Sequence, residues 1–138
     1  MNEAHQELIA AALAAHAAAV APYSRFRVGA SLLTAEGAII SGANMESASY
    51  GLSCCAERVA LFKALSEGHR GFTAIAVAAP GGPAPCGACR QWLAEHAGGA
   101  TVILVDAAVP DKPVFTTVAE LLPRPFTGDA LAGAPPAG

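Results

Sequence analysis

All four cysteines of the chain fall in two short stretches, Ser53-Cys54-Cys55-Ala56-Glu57-Arg58 and Pro85-Cys86-Gly87-Ala88-Cys89-Arg90. Cys86 and Cys89 form a C-x-x-C pair, and Cys55 stands two residues before a glutamate. Such thiols suggest metal or redox chemistry before structural disulfides. Any fold that uses them together must bring the two stretches to one point. Three thiolates leave one position of a zinc tetrahedron open, and an open position is the mark of a catalytic zinc. Cys55, Cys86 and Cys89 are therefore the expected ligands of Zn2+, and Glu57 is the candidate proton carrier beside it.

Spacing restricts how this can be built. Cys86 and Cys89, three apart, share one face of a helical turn. Cys55 and Glu57, two apart, would lie roughly 200° apart around a regular helix. Both can address one metal only if Cys55 sits at the helix start and the metal lies before the N-terminus. Two helix N-termini would then point at the ion, and their positive ends suit the excess negative charge of three thiolates over one zinc. Arg58 and Arg90 are close enough in sequence to help neutralise the thiolates. Two other uses of the cysteines compete. Cys54 could close a four-cysteine structural site, although adjacent residues seldom close a tetrahedron. A thioredoxin-like use of Cys86 and Cys89 would leave Cys55 and Glu57 without a purpose.

The remaining chain supplies a frame of alternating helices and strands. Alanine-rich helical periodicity predicts a helix over 3–20, ended by Pro22. The runs 28–34 and 38–45 read as a hairpin around Glu36-Gly37. Ser53 is a candidate cap for a helix over about 54–67, closed by Gly68. FTAIAVAA, residues 72–79, is apolar throughout and reads as a buried central strand. A helix over about 86–97, strands over 101–106 and 113–117, and a short helical turn over 118–122 follow. The order predicts an α/β fold, three-layer α/β/α, with a mixed, about five-stranded central sheet. The whole of 1–138 reads as one domain, with 127–138 a flexible, Pro/Gly/Ala-rich tail.

Composition excludes several classes of partner. The formal net charge of −3 gives no basis for binding nucleic acid or an acidic membrane. No apolar run reaches the roughly 18 residues of a membrane span. Residues 1–20 lack a basic start and an unbroken apolar stretch, so they do not read as a signal peptide, and a cytoplasmic location is expected. Hydrophobic residues make up 54% of the chain and charged ones 14%, which suggests surface buried between subunits.

With an open zinc position, bound water ionises near neutral pH, and Glu57 can accept its proton. Zinc nucleobase deaminases carry H-x-E with P-C-x-x-C and use a non-ligand glutamate in this way. This chain has Cys55-Ala56-Glu57 with Pro85-Cys86-Gly87-Ala88-Cys89, a three-cysteine version. From about Pro22 to Phe126 it resembles the small, homotetrameric, zinc-dependent cytidine deaminases. Pro22-Tyr23-Ser24-Arg25-Phe26, Val28-Gly29-Ala30, Asn44-Met45-Glu46, Cys55-Ala56-Glu57-Arg58, Pro85 to Gln91 and Glu120-Leu121-Leu122-Pro123 carry the resemblance in order. Cys54 departs from the commonest pattern.

The resemblance implies hydrolytic deamination of cytidine and 2′-deoxycytidine to uridine and 2′-deoxyuridine, with a zinc-bound hydroxide and Glu57 as proton shuttle. It implies that Asn44 and Glu46 hold the ribose hydroxyls and that Phe26 packs against the pyrimidine. The backbone around Ala56 would meet the base, and Glu57 its N3 and amino group. Phe126 would reach toward a neighbouring active site, and Tyr50 would lie on a loop that neighbours share. By themselves, Phe26 also reads as core and Asn44-Met45-Glu46 as a strand-end turn. The implied partners are a pyrimidine nucleoside and three further copies of the chain. Rival functions are deamination of another aminopyrimidine, such as blasticidin S, and a non-catalytic zinc-binding module. A polynucleotide substrate is disfavoured by the acidic charge.

Overall fold

The computed structural model describes residues 2–132. The first helix, α1 (Glu3–His16), starts where the Asn2 side chain accepts the His5 N–H at 2.8 Å, satisfying one of the free N–H groups of the first turn. It buries Leu8, Ile9 and Ala12 on one side. The helix stops at His16, four residues short of the predicted Val20. The chain there leaves helical geometry for an extended bridge: Val20 N–H donates to the Asn44 carbonyl and Glu46 N–H to the Val20 carbonyl, both at 2.9 Å. A tertiary pairing overrides local helix propensity at this point.

β1 (Gly29–Thr34) and β2 (Ile39–Ala43) form the predicted hairpin. β3 (Phe72–Ala79) pairs antiparallel to β1 and parallel to β4 (Thr101–Asp106), and β5 (Val114–Thr117) closes the far edge. Among the described residues the five strands make one mixed sheet of order β2-β1-β3-β4-β5. α2 (Ala56–Ser66) and α3 (Gly87–His96) lie on one face, and α1 lies on the other. β3 shows why FTAIAVAA carries no polar face. Ile75 and Val77 pack with Ala60, Leu61 and Leu93 beneath α2 and α3, while Ala74, Ala76 and Ala78 pack with Leu8 and Ala12 beneath α1. Both faces are covered, so alternation disappears from the sequence.

α2 begins at Ala56, with Cys55 as its N-cap residue, and not after a Ser53 cap. The Ser53 hydroxyl instead accepts the Ser47 N–H at 3.0 Å and holds the Ser47–Ser53 loop, whose Tyr50–Leu52 turn is a short 3-10 helix. α3 likewise begins after Cys86. The chain continues through α4 (Val118–Leu121) to α5 (Gly128–Ala132), a short helix within the expected 127–138 tail; residues 133–138 lie outside the described residues.

The strand register gathers the functional stretches. Gly29 at the start of β1 pairs with Ala43 at the end of β2 and with Ala78 near the end of β3. The loop before β1, the Asn44–Glu46 segment and the loop leading to Cys86 therefore leave the sheet at the same edge. Open α/β sheets bind ligands outside the carboxyl ends of their parallel strands, and β3 ends there.

Candidate metal centre and adjoining cavity

Cys55 and Cys86 occupy equivalent places, each the residue before the first turn of a helix, and Cys89 lies inside the first turn of α3. The two helix starts meet. Cys55 Sγ lies 3.7 Å from Cys86 Sγ, Cys86 Sγ lies 3.5 Å from Cys89 Sγ, and all three sulfurs fall within 4.8 Å of one another. A zinc tetrahedron with bonds of about 2.3 Å has sulfur–sulfur edges of about 3.8 Å, so the donor set fits Zn2+. Cys54 does not join it. Its N–H donates to the Met45 carbonyl and its carbonyl accepts the Met45 N–H, a bridge that belongs to the strand-end segment. Three thiols, rather than four, form the metal-capable cluster among the described residues.

Charge is arranged around these sulfurs. Arg58 Nη2 donates to Cys55 Sγ at 3.5 Å. The Cys55 thiol is held down to about 5, first by the Cys89 thiol and then by Arg58, against the effect of burial. Cys89 is pushed the other way by its bond to Cys55 and by burial. Arg58 thus favours the thiolate form of Cys55, the form that binds a metal. Arg90, the other arginine near the thiols, is occupied elsewhere. Its guanidinium donates to the Pro85 carbonyl at 2.7 Å and the Leu121 carbonyl at 2.9 Å, tying the Cys86 loop to α4.

Beside the thiols lies a cavity of about 310 Å³ lined by Phe26, Asn44, Glu46, Cys55, Glu57 and Cys86, among others. Glu57, in the first turn of α2, is only 5% exposed, and burial raises its carboxyl pKa. Asn44 is 8% exposed, and its amide is fixed at both ends: Oδ1 accepts the Val28 N–H and Nδ2 donates to the Phe26 carbonyl, each at 2.9 Å, which leaves one N–H and one lone pair free. The Glu46 carboxyl is held below its ordinary range, chiefly by the Ser24 hydroxyl. Phe26, Asn44, Glu46, Cys55, Glu57 and Cys86 are thus brought together on one cavity. The same cavity is lined by Ser24, Val28, Pro83 and Ala84, which no sequence pattern singles out for a role.

Other predicted residues lie elsewhere. Ala56 is wholly buried and its side chain joins the core under α2. Tyr50, 73% exposed, lines a neighbouring hollow with Cys54 and Arg58, and its ring meets that of Tyr23 edge-on with centroids 6.2 Å apart. Phe126 is exposed and lines a separate concavity with Glu95 and His96, its carbonyl accepting Gln91 Nε2 at 2.6 Å.

The cavity joins an aromatic face and fixed polar groups to a three-thiol metal site with a buried carboxyl, which is equipment for hydrolysing a small polar ring. Comparison with known proteins agrees. Residues 2–105 match the family described as cytidine and deoxycytidylate deaminase zinc-binding region. A cytidine deaminase of Halalkalibacterium halodurans is 51% identical over 128 residues, covering 91% of this chain and 96% of that one. The crystal structure of cytidine deaminase from Burkholderia pseudomallei superposes with a TM-score of 0.82 at 47% identity, covering 91% of this chain and 100% of its own. A blasticidin-S deaminase of Bacillus cereus is more distant, 32% identical over 114 residues, covering 75% of this chain and 79% of that one.

Proposed function

The chain belongs to the cytidine and deoxycytidylate deaminase zinc-binding family, and we propose how its thiol cavity carries out the hydrolysis of cytidine, and of 2′-deoxycytidine, to the uridine and ammonia. Deamination of cytidine and the use of Zn2+ come with that membership and with the three-thiol cluster. The observation that carries the assignment of residues is the convergence of three thiols and one buried carboxyl on a single cavity.

Cys55, Cys86 and Cys89 hold the zinc, and Arg58 offsets their charge through Cys55. When bound, zinc supplies a Lewis acid that lets water act as a nucleophile near neutral pH. Glu57 takes the proton of the attacking water, places it on the pyrimidine N3 and then assists protonation of the departing amine. Its burial suits that work, because burial raises the carboxyl pKa and so makes Glu57 a stronger proton acceptor than an exposed carboxylate. Phe26 gives the pyrimidine an aromatic face. Asn44 and Glu46 hold the ribose hydroxyls. Ala56 begins α2, where N–H groups lack helical partners, and its backbone meets the edge of the base.

We further infer a homotetramer, in which Tyr50 and Phe126 serve neighbouring sites; both are exposed, Phe126 lies away from the thiol cavity of its own chain, and the hollow that Tyr50 lines adjoins that cavity through Asn44, Glu46 and Cys55. A cytoplasmic location suits four cysteines that form no disulfide, and no described helix is long and apolar enough to cross a membrane.

The test is turnover on one preparation of known zinc content, with cytidine, 2′-deoxycytidine and blasticidin S as substrates and ammonia as the readout. One zinc per chain and turnover of both nucleosides are expected. Zinc without nucleoside turnover would favour a non-catalytic module. Turnover of blasticidin S alone would move the ribose roles away from Asn44 and Glu46.

A further inference from the structure

The loop between α1 and β1 contains a hydrogen-bond junction that none of these roles uses. The Glu46 carboxylate turns back onto this loop. Its Oε1 accepts the N–H groups of Tyr23 at 3.1 Å and Ser24 at 3.0 Å, and its Oε2 accepts the Ser24 hydroxyl. The same Ser24 Oγ accepts the N–H of Phe26 at 3.0 Å. The Phe26 carbonyl is held in turn by Asn44. Arg25, between Ser24 and Phe26, has φ 58°, in the left-handed region that non-glycine residues seldom enter. Such a conformation persists where surrounding contacts over-determine it, and here the bonds on either side do so.

We propose that Ser24 is a positioning residue: its hydroxyl locks the Glu46 carboxylate and the Phe26 backbone into one register, so that the ribose-binding group and the aromatic face are set together. This rests on the roles inferred above for Glu46 and Phe26. A carboxylate offers about four lone-pair sites. Three are taken by the loop, which leaves one for a single substrate hydroxyl. The Ser24 hydroxyl has one proton, and because an ionised carboxylate can only accept, that proton is committed to Glu46, while the Phe26 N–H takes one of the hydroxyl's lone pairs. The bond is charge-assisted and correspondingly strong. Removing the hydroxyl leaves Oε2 free to rotate and the Phe26 N–H without its acceptor. The loss falls on substrate binding, because neither atom lies among the thiols.

A double-mutant cycle on the zinc-loaded enzyme tests this. Ser24→Ala is expected to raise KM for cytidine about tenfold, the size of one charge-assisted hydrogen bond, with kcat changing less than about threefold. In a Glu46→Ala background the same change should raise KM by clearly less than it does in the wild type, because one of the two partners of the hydroxyl is gone and only the Phe26 N–H remains. Ser24→Thr, which keeps the hydroxyl, should restore KM. An unchanged KM in Ser24→Ala overturns the proposal, even if its melting temperature falls, since the hydroxyl is then only a loop staple. Additive effects of Ser24→Ala and Glu46→Ala overturn it as well. If Glu46→Ala alone leaves KM for cytidine unchanged, the ribose role of Glu46 fails first, and that result is distinct from the others.

Discussion

Glu57 and Cys55 are neighbours in sequence with opposite requirements, and the start of α2 meets both. Cys55 stays outside the helix, partly buried and facing Cys86, while Glu57 is carried into the first turn and buried. Glu57→Gln keeps the size of the side chain and removes its proton chemistry. Zinc content, fold and nucleoside binding should survive, and kcat should fall by at least about 10²–10⁴-fold, the usual cost of losing a general acid–base group. A zinc-replete variant with near-normal kcat would end the proton-shuttle role. Asn44 behaves differently, because its amide already bonds Val28 and Phe26 on both sides. Asn44→Ala should lower kcat/KM by the equivalent of about 1–3 kcal/mol and should also lower the melting temperature, since it leaves two partly buried backbone groups without their partner. Unchanged kcat/KM for cytidine would remove Asn44 from the pocket. The spacing of C-A-E and C-x-x-C made the metal set and Glu57 legible from sequence alone. Ser24 was not legible as a positioning residue, because its partner Glu46 is distant in the chain and meets it only through the strand register.

At the scale of the elements, β3 is legible to the residue, because a wholly apolar run bounded by Gly71 and Pro80 has few other uses, and β4 matches the expected 101–106 through its core Val102-Ile103-Leu104-Val105, rich in β-branched residues. The starts and ends of helices were read less well. The stop at His16 and the start at Ala56 are both set by the bridges that Val20 and Cys54 make to the 44–46 segment, which are pairings with no local signature. Gly29 and Gly42, the glycines within the two hairpin strands, carry no sign in the sequence of what requires them. A Cβ on Gly29 would stand 2.1 Å from the Ala12 carbonyl oxygen and 2.2 Å from the His16 nitrogen, and one on Gly42 would stand 2.6 Å from the Ala60 nitrogen. These glycines let α1 and α2 lie directly on the hairpin. The contacts are with backbone, which cannot turn aside. Gly29→Ala should therefore push α1 outward and cost about 1–3 kcal/mol of stability, the usual range for overpacking. Because Gly29 also sets the edge at which the cavity opens, KM should rise in the same variant. Urea unfolding that gives wild-type stability would refute the close approach of α1.

On the scale of the whole molecule, an aromatic cluster on the outer side of α2 and α3 is left partly in solvent. Phe62 of α2 and Trp92 of α3 meet edge-on with centroids 4.8 Å apart, His96 stacks on Trp92 at 5.4 Å, and Phe62 and Trp92 are each more than one-third exposed. This cluster lies on the outer side of the helices whose N-termini hold the thiols. Tyr50, Leu52 and Phe126 add further exposed apolar area. Isolated exposed hydrophobic residues are ordinary, but a contiguous aromatic patch marks a contact surface. A chain with 14% charged residues has little polar surface with which to screen it. Packing of copies through this face would brace α2 and α3 from outside, and so stiffen the two helix starts that form the metal site. The expectation is a tetramer by light scattering at micromolar concentration. Trp92→Glu should dissociate it, since a charge in the centre of an apolar contact is strongly unfavourable. Turnover should fall along with assembly, and both should recover together as protein concentration is raised. A wild-type monomer with full activity would rule out the shared sites assigned to Tyr50 and Phe126. A Trp92→Glu protein that stays tetrameric would show that the contact surface lies elsewhere on the molecule.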